Sequence, residues 1–286
     1  MTAWLAHWRD WRDFLAVARL DLAEVLRSRW LVICLGFYAA LAAAFLLVGL
    51  RESNVLGFTG MNRVLFSMTH ALVLLLPLFG LAFTGQVINR ARAEGALEWL
   101  LSQPLRPGRY LAAITASRSL ALALPLVAML FCIGALGAWA GGQPAAWSLI
   151  ARSAALCTAL LWAASALGIA ISVHVQSPAR AMIYVIAAWA LGVALLDFGV
   201  IGLLLSWRME PRAVFALALA NPVEAVRIAL LSALEPELAV LGPVGFWVAN
   251  RLGPGMSLAL GLAWPVLFGA LAFALALHRF RRGDLV

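Results

Sequence analysis

Lysine is absent: all 21 basic residues of the 286-residue chain are arginines. A Walker A loop ends in a lysine that reaches the outer phosphates of a nucleotide. The chain therefore has no such loop, and any ATP chemistry must come from a partner. A Schiff-base or lysine-base enzyme is excluded on the same ground. Cysteine is scarce, with Cys34, Cys132 and Cys157 set singly in apolar stretches without CxxC or Cys/His spacing. They read as small buried hydrophobes, not as a disulfide framework or a zinc site. Charge is scarce too: 12% of residues are charged and 64% hydrophobic, with a mean hydropathy of +0.96. Soluble domains hold roughly 25% charged and 45–50% apolar residues, so a soluble fold, disorder and a collagen repeat are ruled out.

What is present is a series of apolar segments near the length of about 20 residues that crosses a hydrocarbon layer of roughly 30 Å. Six stand out: Trp30 to Leu50, Val64 to Phe83, Leu120 to Trp139, Ser153 to Val173, Ala181 to Ser206 and Met256 to His278. The expected fold class is an all-α integral membrane protein with six transmembrane helices. The arginines orient it. Counted on alternate sides, one side holds Arg9 to Arg29, Arg90 to Arg118, Arg180 and Arg279 to Arg282, the majority, and by the positive-inside tendency both termini are expected in the cytoplasm.

Residues 1–29 are studded with charge and have no uninterrupted apolar core, so a cleavable signal peptide is not expected. Trp4, Trp8, Trp11, Leu15, Ala18, Leu22 and Val25 recur at spacings of four and three, while Arg9, Arg12, Asp13, Arg19 and Glu24 take other faces. This pattern predicts an amphipathic interfacial (elbow) helix lying on the bilayer ahead of a permease domain over residues 30–286.

The connection from Gly85 to Ser119 is the most informative. Leu97, Leu100 and Leu101 share one helical face, and Pro104 and Pro107 stop the helix, which is expected over about residues 90–104. Glu94 and Glu98 near its start and Arg106 and Arg109 beyond its end complement the helix dipole. The order acidic residue, glycine, small residue, leucine, a leucine pair, proline and arginine resembles the signature after the second span of ABC-2 type permeases, exporter subunits without an ATPase of their own. In that family this segment is the coupling helix. The resemblance carries over to Glu94, Gly95, Leu97, Leu100, Leu101, Pro104 and Arg106, with Glu98 beside them, as the contact with a nucleotide-binding subunit. Two departures stand out: Ala96 replaces the usual threonine, and Ala91 and Ala93 stand where acidic residues are usual.

The turn holding His174, Gln176 and Ser177 before Pro178 matches the family's second, smaller cytoplasmic contact. A histidine at a membrane boundary, as His174 is, is more often simply a polar interfacial residue. The stretch Trp207 to Gly255 is too apolar for a solvated loop and too broken for a span, and short or re-entrant helices are expected there. Asn221 as N-cap, Pro222 at the first helical position and Glu224 placed to complete a capping box mark one helix start. Asp197 is the only acidic residue within the apolar segments, and an ionisable residue at membrane depth is a functional candidate. Counted from Ala181 it lies about 24 Å along the helix, near the outer edge, where pairing with Arg208 or Arg212 is the simpler expectation.

Asn221 to Leu231, Leu241 to Gly245 and the closing Arg281-Arg282-Gly283-Asp284 are similar to NosY-type permeases assigned to maturation of the multicopper enzyme nitrous oxide reductase. That resemblance implies a homodimer in the bacterial inner membrane, with ATP and magnesium held by a NosF-type ATPase subunit and a NosD-type copper-handling protein in the periplasm. No cofactor and no nucleic-acid partner are expected for the chain itself. Copper(I) favours Cys and Met, and Met129 lies one turn from Cys132, yet no further soft ligand is near them in sequence, so mechanical work on a periplasmic partner is expected in place of a metal relay. The alternative is a generic exporter of a lipid or small hydrophobic compound. An intramembrane enzyme would need a nucleophile with its base or a metal with its ligands, and neither HExxH nor GxSxG occurs.

Overall fold

The computed structural model describes residues 2–56, 59–103, 106–141, 146–195, 211–234, 238 and 242–282. Pro104 and Asp197 lie outside them, as do the side chains of Trp4, Trp8 and Leu101. All the regular structure described is helical: α1 (Thr2–Leu26), α2 (Arg29–Leu56), α3 (Thr59–Thr84), α4 (Val87–Ala93), α5 (Ala96–Leu101), α6 (Pro107–Gly141), α7 (Trp147–His174), α8 (Pro178–Ala190), α9 (Pro211–Ala220), α10 (Pro222–Leu234), α11 (Gly242–Arg251) and α12 (Gly253–Arg282). A π-helical turn, Leu191–Leu195, continues α8.

Five helical stretches are long and apolar enough to cross a membrane: Arg29–Leu47, Leu65–Ala93 (α3 running on through a turn into α4), Pro107–Trp139, Trp147–His174 and Gly253–Arg282. The pair Arg212–Ala220 and Pro222–Ala233, bent by 117°, would make a sixth. Of the segment expected as the fifth span, the described part is the shorter apolar helix Pro178–Val193. The chain is thus a multi-pass membrane protein. The third span departs from expectation at its start. With 35 residues α6 is about 52 Å long at 1.5 Å per residue, more than the hydrocarbon layer needs. Pro107, expected to stop the preceding helix, instead opens α6, a position where its missing N–H costs nothing.

The bundle is built around α7, which packs most extensively on α12 and α3. Its close contact with α3 depends on small residues. A Cβ at Gly80 would lie 2.8 Å from the Ala164 Cβ, and one at Gly168 would collide with Thr84 Oγ1 and stand 2.9 Å from the Leu81 carbonyl. Thr84 Oγ1 lies in this contact and donates to the carbonyls of Gly80 and Ser165, 2.8 and 2.9 Å away. Backbones approach this closely in apolar surroundings because dispersion contacts and hydrogen bonds, not water exclusion, drive helix association there.

Two clusters matter for the site. The larger core joins Leu72, Leu76, Leu122, Leu126, Leu156 and Leu160 of α3, α6 and α7. The second gathers Val17, Ile88, Leu97, Ile114, Val173 and Phe280, so the ends of α1, α4, α5, α6, α7 and α12 meet at one end of the bundle. Gly168→Leu should lower stability by about 1–3 kcal/mol through overpacking, whereas Gly36→Leu, whose Cβ meets nothing within 4 Å, should be neutral. Thermal unfolding of the two variants in detergent micelles checks this.

Candidate functional site

The expected single helix over about residues 90–104 is two helices. The chain leaves α3 at Thr84, turns through Gly85 and Gln86 into α4, and breaks again at Glu94 and Gly95 before α5. The break is a backbone requirement. Gly95 has φ +69, a left-handed conformation that costs other residues roughly 1–2 kcal/mol, although its Cβ position is open space. The N–H groups of Glu94 and Gly95 donate to the carbonyls of Arg90 and Arg92 at 2.9 and 3.1 Å, closing α4. α5 then turns Leu97 inward, 1% exposed, and half-buries Leu100. Glu94, Glu98 and Trp99 point outward, with Trp99 68% exposed. The shared leucine face was legible in the spacing, whereas the outward tryptophan was not singled out.

α4 is anchored on the end of α7. Ser172 Oγ, buried on α7, accepts from the N–H groups of Ile88 and Asn89 at 2.9 and 3.4 Å, serving as a cap supplied by another helix. Gln86 Nε2 donates to the Pro178 carbonyl at 3.4 Å. The structure therefore brings the Gly85–Leu101 segment and the His174–Ser177 turn together. In that turn His174 and Gln176 are exposed, and His174 Nδ1 faces the Ala170 carbonyl of its own helix at 2.8 Å. Ser177 is the N-cap residue of α8 but makes no side-chain cap hydrogen bond. Arg106 is exposed just before α6.

The side of this assembly facing α1 holds an ion-pair hub. Asp21, 7% exposed, accepts from Arg118 Nε and Nη2 at 3.1 and 2.9 Å and from Ser117 Oγ. Arg118 Nη1 donates to the Phe83 carbonyl at 3.3 Å, and its guanidinium stands 5.6 Å from the Phe83 ring centroid. One side chain of α6 thus holds both α1 and the end of α3, where the chain turns toward α4. Glu24 is 3.8 Å from Arg118, and Arg109 of α6 lies 3.7 Å from Asp13 of α1. A cavity of about 250 Å³ opens beside the hub, bounded by Glu24, Arg90, Glu94, Tyr110 and Arg118.

This changes the reading of α1. The helix is present, but its packed face runs through Val17, Asp21 and Val25, with Phe14 and Ala18 beside them. Trp11 and Leu22 of the expected stripe are exposed, at 59% and 37%. Periodicity located an apolar stripe but missed a carboxylate on the buried face, because Asp21 is admitted there only by Ser117 and Arg118, nearly a hundred residues away.

At the opposite end of α12, α9 and α10 form the bent pair. Asn221 caps α10 as its sequence predicts, its Oδ1 accepting from the Val223 N–H at 3.0 Å. The expected capping box is replaced. The Asn221 N–H donates to the Ala218 carbonyl at 3.1 Å, and Glu224 Oε1 lies 2.8 Å from Arg227 Nη1. Asn221 Nδ2 donates to the carbonyl of Gly192 in the π turn, and Trp264 Nε1 of α12 to the Ala220 carbonyl at 3.3 Å. Behind this bend lies a second cavity of about 250 Å³, bounded by α3, α7, α8 with its π turn, α10 and α12.

Asp21→Ala should destabilise the chain by about 3–5 kcal/mol by leaving Arg118 buried without its carboxylate. The double variant Asp21→Leu/Arg118→Met should recover to within about 1 kcal/mol of wild type, the remainder being the unpaired Phe83 carbonyl. Denaturation of the three proteins in one detergent compares them.

Comparison with known proteins agrees with this architecture. The profile of the ABC-2 family transporter protein matches residues 15–285. The probable ABC transporter permease protein NosY of Stutzerimonas stutzeri is 26% identical over 274 residues, covering 93% of this chain and 97% of the relative. The protein of the same description from Pseudomonas aeruginosa is 30% identical over 273 residues, covering 85% and 94%. Apolar helices enough for several membrane crossings, no nucleotide-binding lysine and a family match over nearly the full length lead to one conclusion: the chain belongs to the ABC-2 family of transporter proteins.

Proposed function

We propose that the chain is the membrane subunit through which a separate ATPase subunit drives maturation of the copper-sulfur centre of nitrous oxide reductase. The observation that supports this best is the α4–α5 segment, a double helix–turn module with leucines packed into the bundle and Glu94, Glu98 and Trp99 displayed outward. Such a module is seated against α1 and three spans, α6, α7 and α12, yet offers an acidic and aromatic face to a partner. Leu97, Leu100, Leu101, Gly95, Pro104 and Arg106 complete the proposed contact with a NosF-type ATPase, and His174, Gln176 and Ser177 form its smaller neighbour.

In this reading nucleotide-driven closure of the ATPase pushes on α4 and α5. The displacement reaches α7 through Ser172 and α1 and α6 through Arg118. The chain works as a homodimer in the bacterial inner membrane with both termini in the cytoplasm and α1 lying at the bilayer surface. Its outer helices act on a NosD-type periplasmic protein. The two relatives named as NosY permeases support this assignment. A second reading, export of a lipid or small hydrophobic compound, is favoured by the apolar cavity behind the bent pair.

In a strain lacking the chain, with total copper held constant, nitrous oxide reductase should lose activity and its copper-sulfur centre should be under-assembled. The wild-type chain should restore both, whereas Glu94→Arg/Glu98→Arg should not and should also weaken co-purification of the ATPase. Unchanged reductase activity in the deletion strain favours the exporter reading, and undiminished co-purification removes Glu94 and Glu98 from the contact.

A further inference from the structure

The cavity behind the bent pair lies halfway along the bundle. Leu160 and Phe268, at the midpoints of α7 and α12, border it, with Pro77 of α3 and Val223 of α10 on other sides. The spans α3, α7 and α12 have mean hydropathies of 2.0 to 2.1, and the midpoint of such a span stands at the depth of the hydrocarbon layer. Among its described lining residues only Trp189 and Asn221 carry polar side-chain groups, and both are turned to the wall. Trp189 Nε1 donates to the Leu74 carbonyl at 3.0 Å, while Asn221 donates to Gly192 and accepts from Val223. A polar ligand would lose its water here and gain almost nothing in return.

The volume is sufficient for an apolar occupant, since a cavity of roughly 150 Å³ already takes up benzene. The mouth is also defined. Leu191, at the start of the π turn, lines the cavity and is 54% exposed, beside the outward Ile183 and Ile186 of the same helix. π turns within α-helices widen the backbone locally and recur at functional positions. What touches such a mouth at this depth is lipid hydrocarbon.

We infer that the chain holds the acyl chain of a membrane lipid in this cavity, admitted beside Leu191, with the Asn221–Gly192 hydrogen bond fixing the wall next to that mouth. The site is assembled within one chain and needs neither the ATPase nor the reductase. It therefore stands or falls separately from the function proposed above. Selectivity comes from chain length and shape, not from the headgroup, which stays outside the lining residues.

Gly192 allows a direct test. It lines the cavity, and a Cβ built on it meets nothing within 4 Å, so Gly192→Leu is the filling variant. Gly255→Leu, equally unobstructed but at the start of α12, is the control. The full-length chain in nanodiscs is irradiated with a phosphatidylethanolamine carrying a diazirine midway along one acyl chain, and the adducts are mapped by peptide mass spectrometry. Adducts are expected on Leu160, Leu191, Val193 or Phe268. Unlabelled lipid of the same chain length should compete, and the same headgroup on two-carbon chains should not.

In Gly192→Leu those adducts should fall about tenfold, the effect of losing burial for one or two methylenes. In Gly255→Leu they should not change. If Gly192→Leu lowers the melting temperature in detergent, Ala188→Leu fills the same cavity from the preceding turn. Labelling confined to outward residues such as Leu267 and Leu271, or unchanged by both filling variants, overturns the inference. So does a Leu191→Cys disulfide between two copies that abolishes the adducts, since the mouth would then face a second chain.

Discussion

Hydrocarbon accepts no hydrogen bonds, so a backbone polar group held at span depth must find its partner within the protein. Helices satisfy the regular backbone, and side chains serve several further carbonyls, although the hydroxyls of Tyr38 and Ser165 are buried without a partner. The buried threonines Thr69, Thr84 and Thr115 return their hydroxyls to carbonyls one turn back. Trp189 of α8 donates to the Leu74 carbonyl of α3, and Trp162 of α7 donates to the Val266 carbonyl of α12, so long side chains tie neighbouring helices through backbone carbonyls. Asn221 does the same for the π turn while capping α10 with its other amide atom. Trp162, Trp189, Trp264 and Asn221 are thus ties between helices.

The same constraint governs the end where α4 and α5 sit. A short helix has few internal hydrogen bonds and cannot hold itself, and α4 has seven residues and α5 six. Their order comes from outside, from Ser172 at the first turn of α4, from the cluster that buries Ile88 and Leu97, and from Arg118, which binds the carbonyl of Phe83 just before the turn. Because Arg118 is also neutralised by Asp21 of α1, the end of α3, the start of α6 and α1 share one buried charge pair. The elements that seat α4 and α5 are therefore the ends of the spans.

Much of this was legible in the residues. The apolar segments located five long helices, and the Leu97 and Leu100 spacing identified the inward face of α5. Asn221-Pro222 marked the start of α10 correctly. The failures have a common cause. The break at Gly95, the early start of α6 at Pro107 and the buried Asp21 each depend on a partner or a backbone angle that adjacent residues do not specify. Glu224 followed the same rule, turning to Arg227 where local pattern pointed back to Asn221.

Composition and periodicity by themselves determined that this is a membrane protein of long helices, because transfer of apolar side chains out of water is additive and needs no knowledge of neighbours. Tertiary structure alone decided which polar groups stand inside. Asp21 with Arg118, Ser172 with α4 and Asn221 with the π turn are pairings across dozens of residues. A hydrogen bond is directional and short-ranged, so its partner is chosen by how the helices pack and not by the order in which they are strung.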